Sequence, residues 1–77
     1  MNRERRERLE EITEQLQELH SQLEEISEEE QNALDNMPES IQNSERDEYA
    51  QAKIDTIGDA MIDLKNSIDN LTEVLGD

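Results

Sequence analysis

The chain has 77 residues, with 22 Asp and Glu against 7 Lys and Arg, and a formal net charge of -15 at pH 7. This length allows one domain with a small core. The charge excludes a general affinity for nucleic acid or anionic membranes and favours a basic protein surface as partner, while the absence of cysteine excludes disulfides and thiolate chemistry.

The first predicted element is an amphipathic helix over about residues 2–36. Its apolar residues alternate spacings of three and four, which is typical of the a and d positions of a coiled coil. They are Leu9, Ile12, Leu16, Leu19, Leu23 and Ile26. We expect the helix to end before Pro38, because a residue that precedes proline is pushed out of helical geometry. Residues 37–43 are predicted to form a turn.

The second predicted element is a helix over about residues 44–75 with the same pattern. Ser44 and Asp47 are spaced as in a capping box, which favours a helix start at Ser44. The apolar positions are Ile54, Ile57, Met61, Leu64, Ile68, Leu71 and Leu75.

The two apolar patterns fit each other in antiparallel register, since paired residue numbers then add up to 80 throughout. This register places Leu16 opposite Leu64, and it sets His20 across from Gly58, where a missing side chain would make room for the imidazole. Glu29 and Lys53 fall opposite each other as a charge pair. The fold class predicted for residues 1–77 is therefore a single all-α, antiparallel two-helix coiled-coil hairpin.

A lone pair of helices buries too little apolar surface to be more than marginally stable. The positions that flank the predicted interface are mostly uncharged, including Gln15, Gln22, Ala60 and Ser67, and Ile62 adds apolar surface. We therefore expect a homodimer that forms a four-helix bundle.

The sequence contains no phosphate loop, nucleophile motif or Cys/His cluster, so we expect no enzyme and no cofactor. His20 is preceded by Gln17 rather than by the glutamate of di-metal bundles. Asp55, Asp59 and Asp63 share one helix face without the glycine and oxygen cage of a calcium loop. No metal site is predicted.

The acidic residues form two predicted interaction surfaces. Like charges recur four residues apart, which costs about 0.2–0.5 kcal/mol for each pair, and solubility does not require such clustering. The acidic face comprises Glu10, Glu14, Glu18, Glu24, Glu25, Glu28, Asp55, Asp59 and Asp63. The acidic tip comprises Glu29, Glu30, Asp35, Glu39, Glu45, Asp47 and Glu48.

Two functions remain open. A dimer of rods with this charge would approach the density of duplex DNA, which carries one charge per about 1.7 Å, so its carboxylates could replace phosphates in a basic channel of a nuclease or another nucleic-acid-binding protein. The alternative is a structural oligomerisation or adaptor module whose acidity serves solubility only. No secretory or membrane-spanning segment is visible in the sequence, which predicts a cytoplasmic protein.

The region from Ile26 to Leu75 resembles small acidic, uncharacterised proteins encoded by phages and mobile elements of Gram-positive bacteria. The matching residues are Met37-Pro38-Glu39-Ser40 and Ser44-Glu45-Arg46. The resemblance carries no functional residue over. It implies a phage-like origin, in the host cytoplasm, and by analogy an inhibitor of a host defence nuclease such as a CRISPR effector.

Overall fold

The computed structural model describes residues 1–38 and 45–76. Helix α1 spans Arg3–Asp35 and helix α2 spans Glu45–Gly76, and the two pack against each other in a rod of 60 × 14 × 13 Å. The described residues include no strand. The predicted all-helical hairpin is confirmed. Glu39, Ser40 and Ser44, and with Ser44 the expected capping box, lie outside the described residues.

The ends of α1 are set by asparagines. Asn2 has an extended backbone, and its side chain accepts a hydrogen bond from the backbone N–H of Arg5 at 2.9 Å, which satisfies one free donor of the first turn. At the other end, the side chain of Asn36 donates to the carbonyl of Asn32 at 2.8 Å. The helix begins one residue after, and ends one residue before, the bounds expected from the sequence.

Two hydrogen bonds between the helices show that they run antiparallel. The side chain of Gln51 donates to Oε1 of Gln31 at 3.3 Å, and Nη1 of Arg6 donates to the carbonyl of Leu75. Their residue numbers add up to 82 and 81, within two of the expected 80. The observed register therefore lies close to the predicted one.

The face that α2 turns toward α1 is the predicted one. Ile54 and Ile68 are buried, and the other apolar positions of the pattern are half-buried, namely Ile57, Met61, Leu64, Leu71 and Leu75. Because these residues lie on one side of the helix, their burial against α1 is the main apolar stabilisation of the hairpin.

The face that α1 turns toward α2 differs from the prediction. Leu9, Leu16 and Leu23 are half-buried as expected. The other three apolar residues are largely exposed: Ile12 at 46%, Leu19 at 50% and Ile26 at 47%.

Polar residues one position further along the chain take the place of these three. Thr13 is buried, and His20 and Ser27 are half-buried. The predicted contact with α2 is therefore wrong for Ile12, Leu19 and Ile26, and it is right for the other three apolar residues of α1. The physical reason is that the apolar stripe of α1 is wider than the line along which a single partner helix can contact it, and the helix is rotated toward one edge of that stripe.

Two expected side-chain pairs also differ. His20 and Gly58 do line one groove, but a Cβ built at Gly58 would meet nothing within 4 Å, so the imidazole does not need the missing side chain. Nζ of Lys53 lies 4.4 Å from the ring centroid of Tyr49 and does not pair with Glu29.

Candidate interaction surface

The predicted acidic face is exposed on both helices. The helical repeat places its residues on the outer sides of the rod, because they occupy the positions between the apolar residues that pack the two helices together. All nine of its members are solvent-exposed: Glu10, Glu14, Glu18, Glu24, Glu25, Glu28, Asp55, Asp59 and Asp63.

None of these nine carboxylates is neutralised by a basic side chain. Ion pairs join Arg3 to Glu7 at 3.1 Å and Lys65 to Asp69 at 2.8 Å, and neither involves a member of the face. Within the acidic face, the polar contacts are with amides: Gln22 donates to Glu18 at 3.4 Å, and Gln51 donates to Asp55 at 3.1 Å. No basic side chain of the hairpin therefore offsets the charge of this face.

The acidic tip is more mixed than its sequence suggested. Five of its members are exposed on the helices that flank the turn, namely Glu29, Glu30, Asp35, Glu45 and Glu48, whereas Asp47 is half-buried. Glu39 lies outside the described residues. Arg46 and Lys53 line a groove together with Glu30, so positive charge lies among the carboxylates at this end of the rod.

The carboxylates do not converge on a point. In the part of the chain that the structure describes, no group of three or more Asp, Glu or His side chains could hold a metal ion. Asp55, Asp59 and Asp63 follow the helix at successive turns, and Asp55 is engaged by Gln51. The arrangement is an extended charged surface rather than a coordination site.

The basic N-terminal segment lies beside the end of α2. The guanidinium of Arg6 donates to the carbonyl of Leu75, which is one of the carbonyls left without a partner at a helix C-terminus. A positive side chain of α1 thus lies at the negative end of α2. Arg5 and Arg8 line a separate groove with Met1 and Ile12.

The exposed apolar stripe of α1 is the surface feature that sequence reasoning missed. Ile12, Leu19 and Ile26 are seven residues apart and lie along one side of the rod. The signal in the sequence was the pair of uncharged residues beside them, Gln15 and Gln22. Uncharged residues at these positions are more typical of an interface than of a fully solvated surface. Three neighbouring stripes of α1 are apolar or neutral, and they begin at Leu9, Ile12 and Thr13. The sequence could not show which two of them face α2.

The charge of the rod is dense. Its 15 excess negative charges are spread along 60 Å, or one for every 4 Å of length. Duplex DNA carries one for about every 1.7 Å. A single hairpin therefore has somewhat less than half the linear charge density of DNA.

No protein-family model matches the sequence, and no curated protein or solved structure is significantly similar to it. Along residues 1–38 and 45–76, neither helix combines the length and apolar character that crossing a membrane would require. The functional argument consequently rests on the surface of this chain.

Proposed function

We propose that this chain is a non-enzymatic acidic binding protein that occludes a basic, nucleic-acid-binding surface of a host protein. The observation that carries the proposal is the acidic face, in which nine exposed carboxylates lie along a straight rod without a single Lys or Arg partner. Such an array resembles a row of phosphates in charge and in extension.

The proposed partner is a nuclease or another nucleic-acid-binding protein in the cytoplasm of a bacterial host. The resemblance to phage-encoded acidic proteins supports a role against host defence, with CRISPR effectors among the candidate targets. The chain acts in this proposal as a homodimer that forms a four-helix bundle, because two copies side by side bring the linear charge close to that of DNA. It does not bind nucleic acid itself, since like charges repel.

The experiment is capture of proteins from a bacterial lysate on the immobilised chain at low and at high salt. Mimicry predicts that nucleases or DNA-binding proteins are retained, are released as salt rises, and are competed off by duplex DNA. A variant that combines Glu24→Gln, Glu25→Gln and Glu28→Gln should lose most of this capture. Unchanged affinity in that variant would show that the acidic face is not the binding surface.

The control variant changes net charge by the same amount elsewhere. Glu4→Gln, Glu7→Gln and Glu73→Gln also remove three negative charges, but at the end of the rod that carries the arginines. If capture depends on the acidic face, this variant retains it. If both variants lose capture equally, only the overall charge matters.

The alternative function is an oligomerisation or adaptor module, and the exposed stripe formed by Ile12, Leu19 and Ile26 favours it. In that case the partner would be held by apolar contacts. Capture would then persist at high salt and would not respond to DNA, because apolar burial is not screened by ions.

A further inference from the structure

We infer that the exposed apolar stripe of α1 is where a second copy of this chain docks, antiparallel, with the two Leu19 side chains meeting at a two-fold axis. The inference rests on the homodimer of the proposed function and specifies its interface. It concerns the opposite side of α1 from the acidic face.

The stripe is a continuous apolar line. Ile12, Leu19 and Ile26 are each about half exposed, and residues seven apart stay aligned along a helix that packs against a neighbour in coiled-coil geometry. Gln15 and Gln22 lie between them, so no charge interrupts the line from Ile12 to Ile26. An apolar line of this length on a small protein is typical of an interface.

The stripe is symmetric in a way that suits a second copy. Leu19 is the middle of the stripe and also the middle residue of α1, which spans Arg3–Asp35. A two-fold rotation about an axis through Leu19 therefore sets Ile12 against Ile26 of the second copy, and it superimposes the two rods along their full length. Self-complementarity of this kind is the requirement for a two-fold interface.

The two ends of the stripe carry charges of opposite sign on α1. Arg5 and Arg8 line the groove that contains Ile12, whereas the groove that contains Ile26 is lined by Glu30 of α1 and by Arg46 and Lys53 of α2. The antiparallel arrangement brings these ends together. It places Arg8 beside Glu29 and Glu30 of the second copy, so the contact between the two α1 helices has opposite charges at each end.

Helix α2 is consistent with the same axis. Ile26 and Ile57 line one groove, so the half-exposed positions of α2 that repeat from Ile57 open on the same side as the stripe. Paired residue numbers of the two helices add up to 81 or 82, so the axis through Leu19 meets α2 at the level of Ile62 and Asp63. It places Met61 near Leu64 of the second copy.

A second copy also fits better than a foreign partner because of where the acids lie. Docking through the stripe leaves all nine carboxylates of the acidic face in solvent on both copies, and it therefore avoids most of the repulsion between two chains of charge -15. The dimer carries 30 excess charges over the same 60 Å, or one for every 2 Å. That is close to the spacing of about 1.7 Å in DNA.

Disulfide trapping tests the register directly, since the chain has no cysteine of its own. Leu19→Cys should form a covalent dimer on mild oxidation, because the two thiols meet at the axis. Ile62→Cys is the matched control, because Ile62 is an exposed apolar residue that lies on the other side of the rod, in a groove with His20. It should remain monomeric on a gel run without reducing agent. Ile12→Cys should cross-link efficiently with Ile26→Cys when the two variants are mixed, but poorly with itself.

A charge exchange tests the ends of the interface. Arg8→Glu should weaken the dimer about five-fold to ten-fold, because two pairs at the interface edge are lost at once. Combining Arg8→Glu with Glu29→Arg should restore the dissociation constant to within about two-fold of the unchanged chain. Circular dichroism of each variant verifies that the helices remain folded.

Sedimentation of the unchanged chain separates this inference from the wider proposal. A dimer that cross-links through Ile62→Cys and not through Leu19→Cys overturns the interface and leaves the homodimer standing. A chain that stays monomeric at about 0.1 mM, far above a micromolar dissociation constant, overturns the interface and the homodimer together. Failure of the Glu24, Glu25 and Glu28 variant to lose partner capture would overturn the acidic-face mechanism without affecting the cross-linking result.

Discussion

At the scale of single residues, Thr13 shows how the rotation of α1 places a polar group in the helix interface. Its side chain is only 7% exposed, and its hydroxyl donates to the carbonyl of Leu9 at 2.7 Å. That carbonyl already accepts the helical hydrogen bond from the backbone of Thr13. The hydroxyl is therefore satisfied, but it occupies a place where an apolar group would contribute more to stability.

Thr13→Val should raise the free energy of unfolding by about 1 kcal/mol, because a buried methyl replaces a hydroxyl of the same size. Thr56→Val is the control, since Thr56 makes the same bond to the carbonyl of Ala52 at 3.0 Å but is exposed. It should change stability by less than about 0.5 kcal/mol. Urea unfolding measures both, and a loss of stability in Thr13→Val would contradict the rotated interface.

Two isoleucines of α2 differ in burial, so their replacement by alanine shows how much burial contributes to the free energy of unfolding. Ile68 is 5% exposed and Ile62 is 60% exposed on the same helix. Ile68→Ala should lower the free energy of unfolding by about 2–4 kcal/mol, through lost apolar burial and a residual cavity. Ile62→Ala should cost less than about 1 kcal/mol in the same denaturant titration. Equal effects would mean that the observed face of α2 is not the one that packs.

At the scale of whole elements, the two helices are joined at the open end of the hairpin by Arg6. Its guanidinium reaches the carbonyl of Leu75 from the other helix, so the start of α1 is tied to the end of α2. Positive charge is favourable at a helix C-terminus, and in the described part of α2 the last turn has no basic residue of its own.

Arg6→Ala should therefore loosen the last turn of α2. We expect a loss of about 1 kcal/mol, with faster amide hydrogen exchange near Leu75 than in the middle of the helix. Arg3→Ala removes an arginine whose ion pair with Glu7 is exposed, and it should have almost no effect. Similar exchange rates near Leu75 in the two variants would show that the contact does not hold the helix end.

At the scale of the whole molecule, the acidic exterior and the apolar interior act against each other. The acids repeat four residues apart, as in Glu10, Glu14 and Glu18, and none of these three has a basic partner. Such pairs destabilise a helix by about 0.2–0.5 kcal/mol each. The hairpin consequently folds in spite of its outer charge.

The variant with Gln at positions 24, 25 and 28 tests this opposition. At low salt it should unfold with a free energy about 0.5 kcal/mol higher than the unchanged chain, because the repulsion between Glu24 and Glu28 is removed. The gain should shrink as salt rises, since ions screen exposed charges. The same variant should bind its partner less well. Lower stability at low salt would mean that these acids serve the fold.

Much of the architecture is predictable from local pattern. The spacing of apolar residues in α2, from Ile54 to Leu75, indicated the face that the structure buries. This helix has one narrow apolar stripe, so only one rotation of the helix places its apolar residues against α1. The antiparallel register followed from the same pattern to within two residues. The acidic face was also predictable, since charged side chains between the apolar positions of a helix are directed to solvent.

The rotation of α1 was not predictable in this way. Leu9, Leu16 and Leu23 can pack against α2 together with either of two neighbouring stripes. One is the apolar stripe that begins at Ile12, and the other is the more polar stripe that begins at Thr13. Hydrophobicity alone favours contact through the stripe of Ile12, but in the structure the stripe of Thr13 packs against α2. Local propensity is the same for both choices, because the helix is equally formed in each.

The sequence by itself therefore determined that the chain forms two antiparallel amphipathic helices with a negative exterior, because periodicity and charge are local properties of a chain. Only the tertiary structure decided which edge of α1 meets α2, since that depends on how two surfaces of unequal width fit together. This decision leaves Ile12, Leu19 and Ile26 on the outside, where the proposed second copy would cover them.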